Sequence, residues 1–308
     1  MKRTIAALVV LLMLLTGCAA QEPAAVVPTA APPQEFELTD GTLQRRDDVQ
    51  TLVIGAVAYD GEGNSRFSSL SLLVKSGTGE VSMLTIPKDT RVWVEEYDEG
   101  VYQYCRYGAI SEVYHAAESA GLGEKKTMEA VASLLGGVRL DHYILLNVVQ
   151  LEKLAELVGS VMVDSEDPIP EHQIPAGFQN IAPKISEYAS YSYLNSLGGV
   201  EYSGTDPYKL QRHQQLIETM LGIFARKTER LEAEAQTLYA EEILSCVTTD
   251  MSSEQLLEWI GSGVPEFTDV GILKGTQNER RSESYWISDR SAVKEWVIEK
   301  FYLSDEEE

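Results

Sequence analysis

Apolar and polar positions run along this chain in two rhythms. The strand rhythm comes first. Thr51–Ala58 (TLVIGAVA) is apolar and bounded by turn residues, and Phe67–Lys75 (FSSLSLLVK) follows it. Gly77-Thr78-Gly79 then turns the chain into VSMLTIPKDT, Val81–Thr90. In that run Val81, Met83 and Thr85 alternate with Leu84 and Ile86, so both faces are apolar or β-branched. Strands covered on two sides have this character. Pro87 cannot donate to a ladder and should end the pairing. The three runs predict a three-strand meander. Lys88 and Asp89 fall just past a strand end, where layered α/β folds place their ligands. The same two residues also suit a solvated turn. Asp60-Gly61-Glu62-Gly63-Asn64 superficially resembles a calcium loop, but its sixth and twelfth positions are Ser65 and Ser71 instead of Gly and Glu. It is read as a turn.

The helical rhythm takes over at residues 107–121 and 124–137. In the second stretch Met128, Val131, Leu134 and Leu135 share a face, and Gly136-Gly137 ends it as a C-cap does. Asp141–Leu146 returns as a strand, Val148–Val158 is an amphipathic helix stopped by Gly159, and Val161–Val163 is a short strand. Residues 165–205 carry Pro168, Pro170, Pro175 and Pro183, then Tyr188, Tyr191 and Tyr193, which predict irregular chain with one short helix. Asp206 is a good N-cap and Pro207 suits the first helical position. Leu210, Ile217, Met220, Leu221 and Phe224 form the apolar face of that helix, which runs to about Lys227. Beyond 228 come a further helix and the segment TTDMSSEQLLEWI, with Asp250 and Ser252 or Ser253 as caps. Val270–Leu273 reads as a strand, Ser291–Phe301 as a helix and Ser304–Glu308 as an acidic tail. Strands alternating with helices argue for a layered α/β sandwich.

Charge removes one class of function. The chain has 308 residues, enough for one large domain or two small ones, with 48 acidic against 25 basic residues and a net charge of -23. Nucleic-acid binding needs clustered positive charge, so no nucleic-acid partner is expected. Acidity suits solubility outside the cell. Lys2 and Arg3 precede an apolar run, Ile5–Leu15, too short for a membrane span. Leu15-Thr16-Gly17-Cys18 follows at once. It resembles the lipobox of bacterial lipoproteins, which implies a leader over 1–17 and a lipid on Cys18. The lipid would hold the chain at the membrane by about 0.8 kcal/mol per buried CH₂. An ordinary secretory leader with a chance cysteine is the alternative. Residues 18–47, rich in Ala and Pro, read as a semi-extended tether. The expected address is extracytoplasmic, at the outer face of the bacterial cytoplasmic membrane. Cys105 and Cys246 could pair in an oxidising compartment. Nothing in the sequence brings them together, and two free thiols fit equally.

The 206–227 helix holds candidate chemistry. Lys209, Arg212 and His213 lie in its first two turns, where cations oppose the macrodipole. Exposed amides, the dipole and cationic side chains would together make an anion site. A solvated basic face partly neutralised by Asp206 explains the same spacing.

Taken in order, these stretches resemble the LytR-CpsA-Psr family of cell-envelope proteins over roughly residues 50 to 225. The matching runs are Leu52–Gly55 (LVIG), Arg66–Leu70, Met83–Thr90 (MLTIPKDT), Tyr107–Tyr114, Leu140–Asn147 (LDHYILLN), Leu157–Val163 (LVGSVMV) and Asp206–Gln215. The resemblance implies an α-β-α sandwich around a central mixed sheet. Residues 48–227 would form its core, and 228–308 would complete the same domain. It also implies transfer of a glycopolymer from a polyprenyl-pyrophosphate carrier to peptidoglycan, with Mg²⁺ or Mn²⁺ assisting and an apolar tunnel for the lipid. Carried residue by residue, it marks Lys88, Asp89 and Arg212 as catalytic. Arg66, Lys88, Lys209, Arg212, His213 and Gln214 would bind the pyrophosphate. A pyrophosphate leaving group needs such cations to absorb its charge.

The pattern breaks where the family holds its metal. The family's Gly-x-Asp-x-Arg is here Gly55-Ala56-Val57-Ala58-Tyr59, and its Arg-x-Asp-Thr is Arg66-Phe67-Ser68-Ser69. Val57 and Ser68 cannot replace carboxylates as metal ligands. Lys88 stands for an arginine and keeps the charge without the bidentate fork. The family's Tyr-Val-Arg-x-Arg segment should fall near Tyr191–Leu197, which has no arginine. Lys209 and His213 replace the late motif's first arginine and first glutamine. Asp60, Glu62 and Asp89 could rebuild a metal site, but no ligand is assigned. Three functions remain open: a transferase with a degenerate site, a non-catalytic envelope lipoprotein that binds lipid-linked glycan or partners an active paralogue, and an unrelated solute-binding lipoprotein. The last would need two similar lobes and a hinge, which the element order does not suggest.

Overall fold

The computed structural model describes residues 43–59, 64–147, 207–261, 263–280 and 283–303, with isolated positions at Phe36, Leu38, Gln150, Lys153, Leu154 and Leu157. The expectations for the leader, Cys18, the loop at Asp60–Gly63, the 161–163 strand, the tyrosine cluster, Asp206 and the acidic tail lie outside these residues. So does most of the tether.

The predicted meander is present. β1 (Gln50–Tyr59), β2 (Ser65–Lys75) and β3 (Glu80–Thr85) pair antiparallel in sequence. β6 (His142–Asn147) joins β1 in parallel, and β8 (Glu266–Ile272) joins β3 in parallel. With the two-residue β7 (Thr248–Thr249) the sheet has six strands in the order β7-β6-β1-β2-β3-β8. It is mixed, as expected. Alternation along the strands divides the apolar side chains between two cores. Val53, Leu72, Leu84 and Leu145 face one, and Leu52, Leu73, Val81 and Met83 the other. Each such buried side chain contributes about 1.5–3 kcal/mol.

Helices cover both faces. On one side lie α1 (Val113–Glu118), α2 (Gly123–Leu134) and α6 (Arg290–Phe301), with Val113, Val131, Val297 and Phe301 in the first core. On the other lie α3 (Pro207–Thr228), α4 (Ala233–Leu244) and α5 (Ser253–Ile260), with Leu216, Phe224, Ile243 and Trp259 in the second. The backbone is also helical at Gln150, Lys153, Leu154 and Leu157, inside the predicted 148–158 helix. Gly136 and Gly137, at φ 74° and 82°, end α2 as predicted.

One expectation is corrected. The predicted 107–121 helix begins as a strand. β4 (Arg91–Asp98) and β5 (Val101–Ala109) form a hairpin, a 3₁₀ turn spans Ile110–Glu112, and only then does α1 start. Glu99 (φ 46°) and Gly100 (φ 83°) turn the hairpin. Paired positive φ angles match the twist of its strands. The Arg280 region forms a second hairpin, β9 (Gly275–Arg280) with β10 (Glu283–Ser288), that the polar sequence did not announce. Cys105 and Cys246 are free thiols, one half-buried and one buried.

Polar clamps fix the register. Thr51 donates from N and Oγ1 to Asp141 Oδ2, both at 3.0 Å, and Asp141 N donates to Thr51 Oγ1 at 2.7 Å. Asp250 accepts from Tyr143 N at 3.0 Å and lies 3.4 Å from His142 Nδ1. It therefore ties β6, and the cap of α5 falls to Ser252, whose Oγ and the Gln255 side chain form a capping box. Lys126 pins α2 to β4 through the buried Glu95 (2.8 Å), while Glu129 on its own helix holds its ammonium at 2.7 Å. Burial works against its ammonium, but the two carboxylates outweigh it and raise its pKa.

Candidate functional site

β1, β3, β6 and β8 all run in one direction, and β2 starts where they finish. One edge of the sheet thus collects Tyr59, Asn147, Ser65, Arg66, the Pro87–Thr90 turn and Lys274. Ligands of open α/β sheets bind outside such strand ends.

The turn that carries Lys88 and Asp89 is tightly held. Thr90 donates to Pro87 O from N at 2.9 Å and from Oγ1 at 2.6 Å. Ser111 N donates to Lys88 O at 3.0 Å, and Trp286 N to Asp89 O at 2.9 Å. Backbone bonds to the 3₁₀ turn and to β10 therefore position Lys88 and Asp89, both half-buried. Arg66 lies on the neighbouring strand, with Nη1 3.3 Å from Glu112 Oε1. Arg106 reaches the same carboxylate at 2.8 Å and Glu96 at 2.7 Å. Burial opposes the Arg106 guanidinium, and Glu112 and Glu96 more than restore it, so its pKa is raised. Glu112 is thus shared by two arginines.

α3 comes to the edge at its N-terminal end. Gln214 Nε2 donates to Gly271 O, near the end of β8, at 2.8 Å. Eight residues on, Gly222 lies against Val264, near the start of the β8 segment. The helix therefore runs back along β8 with its positive dipole end toward the edge. His213 and Gln214 are buried, 1% and 6% exposed. Gln214 spends its donor on Gly271, so the role the structure shows for it is docking the helix. Lys209 and Arg212 occupy the first two turns, and their side chains lie outside the described residues. The structure therefore groups Arg66, Lys88 and Asp89 at one edge and sets the first turns of α3 beside it. Sequence reasoning missed Arg106, which lies just ahead of the stretch read as helix, and Lys274, which the parallel pairing of β8 with β3 brings to the same edge.

Mg²⁺ or Mn²⁺ does not fit the described donors. Val57 is 5% exposed and packs in the first core. Ser68 sits at a bulge and donates its Oγ to Ala56 O at 3.2 Å. Neither position offers an anionic oxygen. Among the described residues no three His, Cys, Asp or Glu side chains are grouped to hold a metal.

The edge thus sets Arg66 and Lys88 at strand ends of a layered α/β domain. Its family follows from the sequence as a whole: the LytR_cpsA_psr family model matches residues 19–297. The chain belongs to the LytR-CpsA-Psr family, and a cell-envelope role goes with that membership. Solved structures agree on the fold. Protein gbs0355 from Streptococcus agalactiae superposes with a TM-score of 0.62 at 15% identity, covering 82% of this chain and 88% of that one. TagV from B. subtilis gives 0.60 at 17% identity, covering 82% and 96%. TagT bound to LIIa-WTA gives 0.56 at 14% identity, covering 82% and 87%. No curated protein matches the chain significantly.

Proposed function

We propose that this protein holds a polyprenyl-pyrophosphate-linked glycopolymer at the cell envelope through side-chain cations, in a site that has lost the family's metal. The carrying observation is the contrast along one sheet edge. Arg66 and Lys88 stand at the strand ends, while Val57 is packed in the core and Ser68 is turned to Ala56 O. Arg66 is half-exposed and its Glu112 contact is 3.3 Å, an exposed type of pair worth about 0–1 kcal/mol. A pyrophosphate can displace it at small cost. The N-terminal turns of α3, to which Lys209 and Arg212 belong by sequence, would add the positive end of the helix dipole. TagT, a neighbour in fold, binds LIIa-WTA, which supports a glycopolymer ligand. Cys18 and the tether would place the site at the outer face of the membrane.

Transfer to peptidoglycan is the second reading, favoured by the rigid turn that keeps Lys88 and Asp89 at the strand end. An acceptor hydroxyl would attack the glycan-side phosphorus, and the prenyl monophosphate would leave with the bonding electron pair. In this reading Asp89 would take the hydroxyl proton, and Lys88 and Arg66 would meet the charge on the departing phosphate. The two readings separate in one assay. Full-length protein is incubated with a short-chain prenyl-pyrophosphate glycan and a peptidoglycan oligosaccharide, and binding and prenyl monophosphate release are both followed. Binding without release supports the first reading. Release that is lost in Lys88→Ala and Asp89→Asn supports transfer. Absence of binding contradicts both.

A further inference from the structure

The pyrophosphate reading leaves a cleft unused beside the same edge. Between β8, the last strand of the sheet, and α6 lies a space of about 270 Å³. Leu84 and Val293 form part of its apolar floor, and Trp296, Asp269, Glu295 and Glu299 line its walls. Lys274 closes the end nearest the Pro87–Thr90 turn, since Leu273 N donates to Thr85 O at 2.9 Å and fixes β8 against β3 there. Neighbouring strands are about 4.8 Å apart, so the cleft opens one strand away from Lys88.

The indole is held in place. Trp296 Nε1 donates to Asp269 Oδ2 at 3.3 Å, and Lys300 Nζ grips the same oxygen at 2.9 Å. The ring also packs edge-to-face with Phe301, with centroids 6.3 Å apart. An aromatic surface fixed before binding loses no rotamer freedom when a ligand stacks on it. Glu295 and Glu299 are one helical turn apart on α6 and both exposed. Their carboxylates accept hydrogen bonds and donate none. Acidic side chains alone would be a solvated face. A cleft beside an oriented indole adds a second requirement, a ligand with an apolar face and a rim of donors. A pyranose ring has both.

Size and charge narrow the class. The cleft falls just below the roughly 300–1,000 Å³ of sites for drug-sized ligands, which suits one or two sugar rings and excludes a long prenyl chain. Lys300 pairs with Asp269 at 2.9 Å and Glu299 at 2.7 Å, so three carboxylates against Lys274 and Lys300 leave a net negative wall, which disfavours a phosphate or uronate and favours a neutral or amino sugar. We propose that the β8–α6 cleft is a saccharide subsite for a neutral or amino sugar of the glycan whose pyrophosphate is held at the strand ends. The proposal rests on the glycopolymer reading for the nature of its ligand, and it adds where the sugar lies and what recognises it.

The test uses the full chain and two probes, N-acetylglucosamine trimer and glucosamine trimer, titrated calorimetrically. At least one trimer should bind saturably. Affinity should fall about tenfold or more, a loss of at least 1.4 kcal/mol, in Trp296→Leu and in Glu295→Gln/Glu299→Gln. Trp296→Phe, which keeps an aromatic face, should restore most of it. The glutamates are exposed, so their replacement leaves folding intact and keeps the test decisive if Trp296→Leu unfolds. Farnesyl pyrophosphate is titrated in parallel and should bind all folded variants alike. No saturable binding of either trimer overturns the subsite, as does binding indifferent to these substitutions. Retained farnesyl pyrophosphate binding in that case leaves the anion site standing. Its absence overturns the anion site as well.

Discussion

Gly55 shows how closely a single residue is specified. A Cβ there would stand 2.8 Å from the Phe67 ring and 3.1 Å from both Leu70 and Leu145. Gly55→Ala should therefore destabilise the domain by about 1–3 kcal/mol, the usual cost of overpacking a core, measured by urea unfolding. Glu218, on α3, is held differently. Burial raises the pKa of its carboxyl. The folded state thus keeps the proton more readily than the unfolded chain, whose pKa is about 4.3, and stability falls as pH rises through the window above that value. Glu218→Gln should raise the melting temperature at pH 7 and leave it unchanged near pH 3.5. A shift of equal size at both values would contradict the assignment. At this scale the sequence was informative about loss and silent about geometry. Reading Val57 and Ser68 in place of aspartates needs only letters. Ser68 facing Ala56 O depends on a bulge opposite Ala56, which no local pattern announces.

Elements were legible where one rhythm dominated. The meander, α2, α3 and α6 follow from periodicity, and their bounds differ from expectation by a few residues. The β4–β5 hairpin was hidden because RVWVEEYDEGVYQYCRYG mixes charged and aromatic residues. Its apolar positions, Val92 and Val94, face the core, but Glu95 is buried too, neutralised by Lys126 from a helix thirty residues on. A buried carboxylate at a strand position masks the alternation that sequence reading relies on. The positive-φ pair Glu99-Gly100 was the available signal. β9 and β10 carried still less, since their residues are mostly polar. Two substitutions test the element contacts. Ser252→Ala removes the capping box of α5 and should cost about 1 kcal/mol in thermal unfolding. Gln214→Ala breaks the tie from α3 to Gly271 O and should cost about 1–3 kcal/mol, because a strand carbonyl loses its side-chain partner. Hydrogen exchange should quicken in the N-terminal turns of α3 more than in α4.

On the scale of the whole molecule, the sheet joins parts of the sequence that no local reading connects. β8 brings Lys274 to the edge that carries Lys88, from almost two hundred residues away, and α3 lies against β8 through Gln214. The fold class was readable from alternating elements. Arg66, Lys88 and Asp89 at one edge were readable through family resemblance. The shared Glu112, Arg106 and the β8–α6 cleft depend on pairing and were not. The protein is strongly acidic, with a net charge of -23, yet Arg66 and Lys88 stand at these strand ends. Anion binding there should weaken with salt, since exposed charges are screened within about 10 Å at 0.1 M.

The central claim is that side-chain cations replace the metal. The most direct measurement is calorimetric titration of the full-length protein with farnesyl pyrophosphate, once in EDTA and once in millimolar Mg²⁺ or Mn²⁺. The account predicts equal affinity in the two conditions and a loss of about tenfold or more, at least 1.4 kcal/mol, in Arg66→Ala/Lys88→Ala. Binding that appears only with the divalent ion, and survives the double substitution, would contradict it and point to a carboxylate site elsewhere on the edge.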